Sequence, residues 1–216
     1  MRNRKFFFIV FEGIEGSGKS YQSRKLYTAI KKIGLSVILT REPGGTKSAE
    51  EIREIILKDY FNQDSKEKFD KYTDTLLYLA ARNEHIQNKI KPAISKKKIV
   101  ICDRFIDSTL AYQVYGKRVN KNFVDLVHKY ILGSIKPDMT FILKVNISKA
   151  LQRLKKRTIK KNRYDKFSKN FYIKAQKAFI KIAKKNKKKY YIFDNSEDDK
   201  NLEKRIFKLV RSKLIK

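Results

Sequence analysis

In 216 residues the chain has one cysteine, three prolines, two histidines, eight glycines and no tryptophan. The single Cys102 excludes an internal disulfide framework, and with only His85 and His128 beside it there is no ligand set for a structural zinc. No run of about 18 apolar residues occurs, so no membrane-spanning helix is expected. Arg2, Arg4 and Lys5 precede an apolar run from Phe6 to Phe11. That run is short, Glu12 ends it and no small-residue cleavage site follows, so the expectation is a cytoplasmic protein without a secretory leader. Acidic residues are also scarce, 22 Asp plus Glu against 53 Lys plus Arg, for a net charge of +31. Between Leu151 and Tyr190 there are 17 Lys or Arg and one acid, Asp165. Such an excess fits a nucleic-acid binder, an anionic substrate, or simple drift in a chain rich in Lys, Ile, Asn, Phe and Tyr. Charge alone does not choose among them.

At 41% apolar residues the chain can bury a core, and its length suits one domain over residues 1–216. Apolar runs of strand length fall at Phe6 to Phe11, Ser36 to Thr40, Ile99 to Cys102, Thr140 to Val145 and Tyr190 to Phe193. Helical periodicity separates them at Lys19 to Ile33, Glu50 to Lys58, Tyr72 to Ile90, Lys121 to Leu132 and Ile147 to Lys156, with a last helix from near Asn201 and Gly34 as the stop of the first. This alternation predicts an α/β fold with a doubly wound, five-stranded parallel sheet flanked by helices. Arg157 to Asp165 is charged, nearly devoid of apolar residues and set between two helical patterns, and reads as a mobile surface loop.

Five of the eight glycines sit in two short segments. The first, Gly13-Ile14-Glu15-Gly16-Ser17-Gly18-Lys19-Ser20, matches G-x-x-x-x-G-K-[ST] directly after an expected strand and before an expected helix. There the glycines let the backbone aim N–H groups at a phosphate, Lys19 reaches the β- and γ-phosphates, and the Ser20 hydroxyl ligates Mg²⁺. Asp103, closing the apolar run at Ile99 to Cys102, is the candidate carboxylate for the metal, although many strands end in Asp for turn reasons.

The second group lies in Thr40-Arg41-Glu42-Pro43-Gly44-Gly45-Thr46, beyond the second strand at the carboxyl edge where open α/β sheets bind ligands. Further on come Leu77-Tyr78-Leu79-Ala80-Ala81-Arg82 and Asp103-Arg104-Phe105-Ile106-Asp107-Ser108-Thr109-Leu110-Ala111-Tyr112-Gln113. In this order the segments resemble the bacterial thymidylate kinases, P-loop enzymes of the nucleoside monophosphate kinase type. The resemblance implies ATP and dTMP as substrates, Mg²⁺ as cofactor, a homodimer, and no nucleic-acid or membrane partner. It implies that Arg53 and Arg104 hold the dTMP phosphate, that Arg82 meets the thymine O4 edge and that Tyr78 stacks where the family commonly has Phe. Thr109 and Gln113 would contact the base, Tyr112 would lie against the sugar and disfavour a 2′-OH, Glu15 would take the 3′-OH, and Glu42 and Pro43 would shape the same pocket. Without the family match, the default reading of Arg53 and Arg82 is surface ion pairing with nearby Glu.

The P-loop carries no arginine of its own. Relatives of that kind cover the transferring phosphoryl group with a cationic lid, here expected over about residues 153–166, with Arg157 and Arg163 as the acting cations and Arg153, Lys160 and Lys161 behind them. Two positions depart from the family pattern: Tyr21 replaces a small hydroxyl residue, and Lys144 stands where relatives often have Asp. The rival readings are another P-loop phosphotransferase, with Glu42 as the only obvious base for a hydroxyl acceptor, and a nucleic-acid binder that retains a nucleotide fold.

Overall fold

The computed structural model describes residues 7–58, 68–156, 167–197, 199 and 201–214. Five parallel strands, β1 (Phe7–Glu12), β2 (Val37–Arg41), β3 (Ile99–Asp103), β4 (Met139–Lys144) and β5 (Tyr190–Asp194), pair in the order β2-β3-β1-β4-β5. Each lies within about one residue of its expected position. In register, Phe11 faces Asp103 on β3 and Phe141 on β4.

Strand periodicity divides the core. Phe7, Ile9 and Phe11 point to the face that packs on helices α1 (Lys19–Lys32) and α9 (Leu202–Leu214), where Leu26, Ile30, Leu202, Ile206 and Val210 are buried. Phe8 and Val10 point to the other face, onto Ile86, Ile90, Ala93 and Phe105. A parallel sheet covered on both sides accounts for the unbroken apolar run of β1, every residue of which is buried. The first helix stops where expected: Gly34 adopts a left-handed φ of +78° and its N–H reaches the Lys31 carbonyl.

The remaining helices are α2 (Lys47–Leu57), α3 (Lys71–His85), α4 (Lys91–Ser95), α5 (Ile106–Thr109), α6 (Lys121–Leu132), α7 (Ile147–Lys155) and α8 (Lys169–Lys185). The helix expected over Tyr72 to Ile90 does not end there. A π-helical stretch, Ile86–Ile90, carries α3 on into α4, and a second, Leu110–Gly116, extends α5. Such wide turns are local distortions that collect at functional sites, and no periodicity in the sequence announces them. Among the described residues no helix is long and apolar enough to cross a membrane.

On the α9 side of the sheet, Phe141 is fully buried between Phe11 (ring centroids 5.1 Å), Tyr191 (5.7 Å) and Phe193 (6.0 Å). Phe141→Ala is expected to destabilise the fold by about 3–5 kcal/mol through lost contacts and the cavity left behind. Urea unfolding followed by circular dichroism checks this, a loss below about 1 kcal/mol being the contrary result.

Candidate active site

β1 ends at the middle of the sheet, with β3 on one side and β4 on the other, so the loop leaving it stands at the switch point of the strand order. That loop is the glycine-rich segment. Gly13 has φ +142° and lies so close to β4 that a Cβ there would come within 2.5 Å of the Leu143 carbonyl oxygen. Ile14 drops into the core, Ser17 is buried, and α1 starts at Lys19. The N-termini of α2, α3, α6, α7 and α8 are capped by the side chains of Thr46, Asp70, Asn120, Asn146 and Ser168. α1 has neither a capping side chain nor an acidic residue in its first turn. Its leading N–H groups and positive dipole end are thereby left to an external anion.

Lys19 is 5% exposed and donates from Nζ to the Ile14 carbonyl at 2.7 Å. Burial, reinforced by the Arg104 charge, pushes its ammonium down to about 8 against the opposing pull of Asp103, Glu15 and Glu12. An anion in the loop would raise it again. Ser20 Oγ hydrogen-bonds Asp103 Oδ2, while Asp103 Oδ1 is buried with no hydrogen-bond partner. A carboxylate oxygen without a donor, beside a hydroxyl, suits a hard cation. No group of three or more His, Cys, Asp or Glu able to hold a metal occurs among the described residues. An ion at Ser20 and Asp103 must therefore complete its shell with phosphate and water, which is how Mg²⁺ is commonly bound.

Opposite the loop, Arg104 is a non-glycine residue with φ +72°. Glu12 holds that turn. Its fully buried carboxylate accepts from Phe105 N (2.7 Å), Ser108 N (3.1 Å) and Ser108 Oγ (2.6 Å), capping α5 from a different element. The guanidinium of Arg104 then donates to the Gly13 carbonyl (2.9 Å), Ser108 Oγ (3.0 Å) and Glu15 Oε1 (2.7 Å), and Tyr112 donates to Glu15 Oε2 at 2.5 Å. Two of the five N–H groups of Arg104 stay available to an anion. Burial would raise the Glu15 carboxyl, but the Arg104 and Lys19 charges and the Tyr112 hydrogen bond outweigh it and hold the group below the ordinary carboxylate value.

Arg82, 2% exposed, is more completely engaged. Nε donates to Glu42 Oε2 at 2.7 Å, one terminal nitrogen meets Thr109 Oγ1 (2.8 Å) and His128 Nε2 (2.7 Å), and the other reaches the Phe105 carbonyl (2.9 Å). One N–H of the guanidinium is left over, on a residue that lines the cleft. Burial and the Arg82 charge push His128 down to about 3, so it is neutral and accepts from the guanidinium. His85 lies between Glu42 Oε1 (2.9 Å) and Thr40 Oγ1 (2.7 Å). With both oxygens in use, Glu42 is held ionised: burial would raise it, but Arg82 and His85 dominate. Arg53 donates to the carbonyl of Pro43, which follows a cis peptide bond.

One cleft of about 1490 Å³ gathers these groups. Glu15, Glu42, Pro43, Arg53, Tyr78, Arg82, Arg104, Thr109, Tyr112 and Gln113 all line it, together with Gly16, Gly18, Lys19, Ser20 and Asp103. Of the expected lid, Arg157 and Arg163 lie outside the described residues, as do Lys160 and Lys161. Arg153 is described, and its guanidinium is engaged with the backbone carbonyls of Gly16, Asn195 and Ser196. Tyr21 is exposed at the cleft rim, and Lys144 forms a surface ion pair with Asp194 at 2.9 Å.

Glu12, His85, His128 and Asn195 belong to the site but were not among the residues read from the sequence. Only Glu12 carried a signal, as a carboxylate set directly between an apolar strand and the first glycine of the loop. Burial and the nearby Asp107 charge push its carboxyl up to about 8, against Arg104 and the Ser108 and Phe105 hydrogen bonds. A carboxyl whose folded value lies above its unfolded one near 4.5 loses stabilisation as pH rises from about 4.5 to about 8. Glu12→Gln removes that titration, so the variant should gain stability relative to the parent between pH 5 and pH 8.5. Denaturant midpoints at both pH values test it, and a variant whose stability relative to the parent stays constant or falls between them would contradict the assignment.

Residues 11–206 match the family model described as thymidylate kinase. The thymidylate kinase of Mycoplasma capricolum is 39% identical over 208 residues, covering 96% of this chain and 95% of the relative. That of the Wolbachia of Brugia malayi is 45% identical over 179 residues, covering 82% and 80%. The crystal structure of thymidylate kinase from Ehrlichia chaffeensis superposes with a TM-score of 0.73 at 33% identity, covering 94% of this chain and 98% of that one. With the fold, the loop and the cleft all in agreement, the chain belongs to the thymidylate kinase family, whose enzymes use ATP to phosphorylate dTMP.

Proposed function

We propose that this cleft transfers the γ-phosphoryl group of ATP to dTMP, with the triphosphate on Gly13 to Ser20 and the acceptor against Arg53, Arg82 and Arg104. The observation that carries the reading is that the phosphate loop and Arg53, Arg82 and Arg104 line one cleft. Two polyanions brought within bonding distance repel strongly. Lys19 and the free N–H groups of Arg104 and Arg53 offset that repulsion at fixed positions, so little reorganisation is needed when charge shifts during transfer. The second pKa of a monophosphate is near 6, so its attacking oxygen is largely ionised at pH 7 and no protein base is required. Glu42 supports this, since a carboxylate held in a buried pair with Arg82 and His85 is a poor proton acceptor. A kinase acting on a hydroxyl would need such a base.

The unpartnered Asp103 oxygen and the adjacent Ser20 hydroxyl support these two residues as the protein ligands of Mg²⁺. The ion would neutralise charge on the bridging phosphates. Arg82 would direct its one spare N–H to a base carbonyl, with Thr109, Gln113 and Tyr78 around the ring. Tyr112 and Glu15 would bracket the sugar, Glu15 retaining lone pairs for the 3′-OH. Arg157 and Arg163 are assigned to the transferring phosphoryl group by family resemblance alone, and residues 1–216 would form one kinase domain with both sites.

An ADP-release assay with dTMP, thymidine, dUMP, dCMP, GMP and AMP as acceptors tests the reading. dTMP should be the preferred acceptor. Arg104→Ala should raise KM for dTMP by about 10–100-fold, as expected for lost hydrogen bonds to a charged group, and alter KM for ATP far less. Preference for thymidine over dTMP would overturn the reading.

The homodimer belongs to the same proposal. α3 and α6 pack side by side through Tyr72 and Phe123 (centroids 5.4 Å) and leave Leu76, Leu126 and Tyr130 exposed at 48%, 55% and 79%. Three large apolar side chains on adjacent helices support this as the pairing face. Sedimentation equilibrium should find a dimer that Leu126→Lys with Tyr130→Lys converts to monomer. A dimer indifferent to both changes would place the contact elsewhere.

A further inference from the structure

A loop that cradles phosphate must turn its N–H groups inward. Because the carbonyl and the N–H of a trans peptide point in opposite directions, its carbonyls then face away from the ligand and need donors of their own. Two side chains from outside the loop meet that need at consecutive peptides. Arg153, near the end of α7, donates to the Gly16 carbonyl at 3.0 Å, and Asn195, just after β5, donates from Nδ2 to the Ser17 carbonyl at 2.8 Å. The Ser17 N–H closes a turn on the Ile14 carbonyl at 3.3 Å, whereas the opposite edge of the Ser17–Gly18 peptide carries the Gly18 N–H, which leads into the uncapped start of α1.

Asn195 is built for this contact. It is 5% exposed, its own N–H is fixed on the Lys144 carbonyl (2.8 Å), and its carbonyl accepts from Arg153 at 2.9 Å. Gly18, at φ +90°, leaves room for it: a Cβ there would lie 2.4 Å from Asn195 Nδ2. The glycine that opens the helix and the amide that holds the loop thus need each other.

We propose that Asn195 is a positioning residue for the donor phosphates, holding the Ser17–Gly18 peptide with its N–H turned toward the triphosphate, while Arg153 braces Asn195 and the neighbouring Gly16 carbonyl from behind. Neither needs to touch the nucleotide. This rests on the reading of Gly13 to Ser20 as the donor site.

The test compares Asn195→Ala, Asn195→Asp and Lys19→Ala in steady-state kinetics and in ADP binding by calorimetry, with nucleotide-free melting curves to establish folding. Asn195→Ala should raise KM for ATP about tenfold, the effect of one net hydrogen bond on an equilibrium, and leave KM for dTMP within about twofold. Asn195→Asp keeps the shape, so it reports even where the alanine variant melts early. It should be worse for ATP, because an oxygen then faces the Ser17 carbonyl and a negative charge stands beside the triphosphate. An equal rise in both KM values would mean a general packing role and would sink the proposal. If Lys19→Ala weakens ADP while both Asn195 variants keep the parental KM for ATP, the inference fails and the donor-site reading survives. If Lys19→Ala binds ADP like the parent, the donor-site reading fails and takes the inference with it.

Discussion

A site for two polyanions must hold its cations in place before either anion arrives, without quenching them. Arginines brought together in a cleft repel one another and lose hydration, so each needs a carboxylate that pairs with part of its guanidinium and leaves the rest free. Glu15 does this for Arg104 and Glu42 does it for Arg82. Both acids are largely sequestered, and their charges are sustained by the arginines they hold. Glu12 serves a third time with no cation as its direct partner, fixing through two backbone N–H groups the strained turn on which Arg104 stands.

The sheet makes this arrangement possible. Because β1 lies centrally with β3 and β4 on either side, Glu12, Asp103 and the phosphate loop emerge at one edge, next to the turn that carries Arg104. The wide helical stretch after α5 then sets Tyr112 and Gln113 into the same cleft, and α3 delivers Tyr78 and Arg82 from across it. Nothing in that assembly requires the overall charge of +31. Arg82 and Arg104 of the cleft are each paired with a carboxylate, whereas six of the lysines in the basic run of the C-terminal third lie on α8. Among the described residues of that run, Arg153 is the one whose contacts reach the phosphate loop, through the Gly16 carbonyl.

Much of the site was legible because its chemistry is written locally. The phosphate loop needs its residues in one contiguous order, since the turn, the N–H groups, the lysine and the hydroxyl are supplied by neighbours along the backbone. Asp103 was legible from the apolar strand before it, and Arg53, Arg82 and Arg104 from the segments that resemble a family. What they touch was not. Arg153 looked like a spare lid cation and holds backbone carbonyls instead, and Glu42 looked like a possible base but is committed to an ion pair.

By itself the sequence determined the alternation of strand and helix, the two faces of the sheet and the phosphate loop, because hydrophobic period and backbone turning are properties of adjacent residues. Only the tertiary structure decided which carboxylate restrains which arginine, that both histidines converge on the Arg82–Glu42 pair, and that Asn195 reaches back to Ser17. Those contacts join residues from 40 to 178 positions apart. Their partners are chosen by how the strands are ordered and how closely the helices pack, and neither leaves a mark on the residues nearby in the chain.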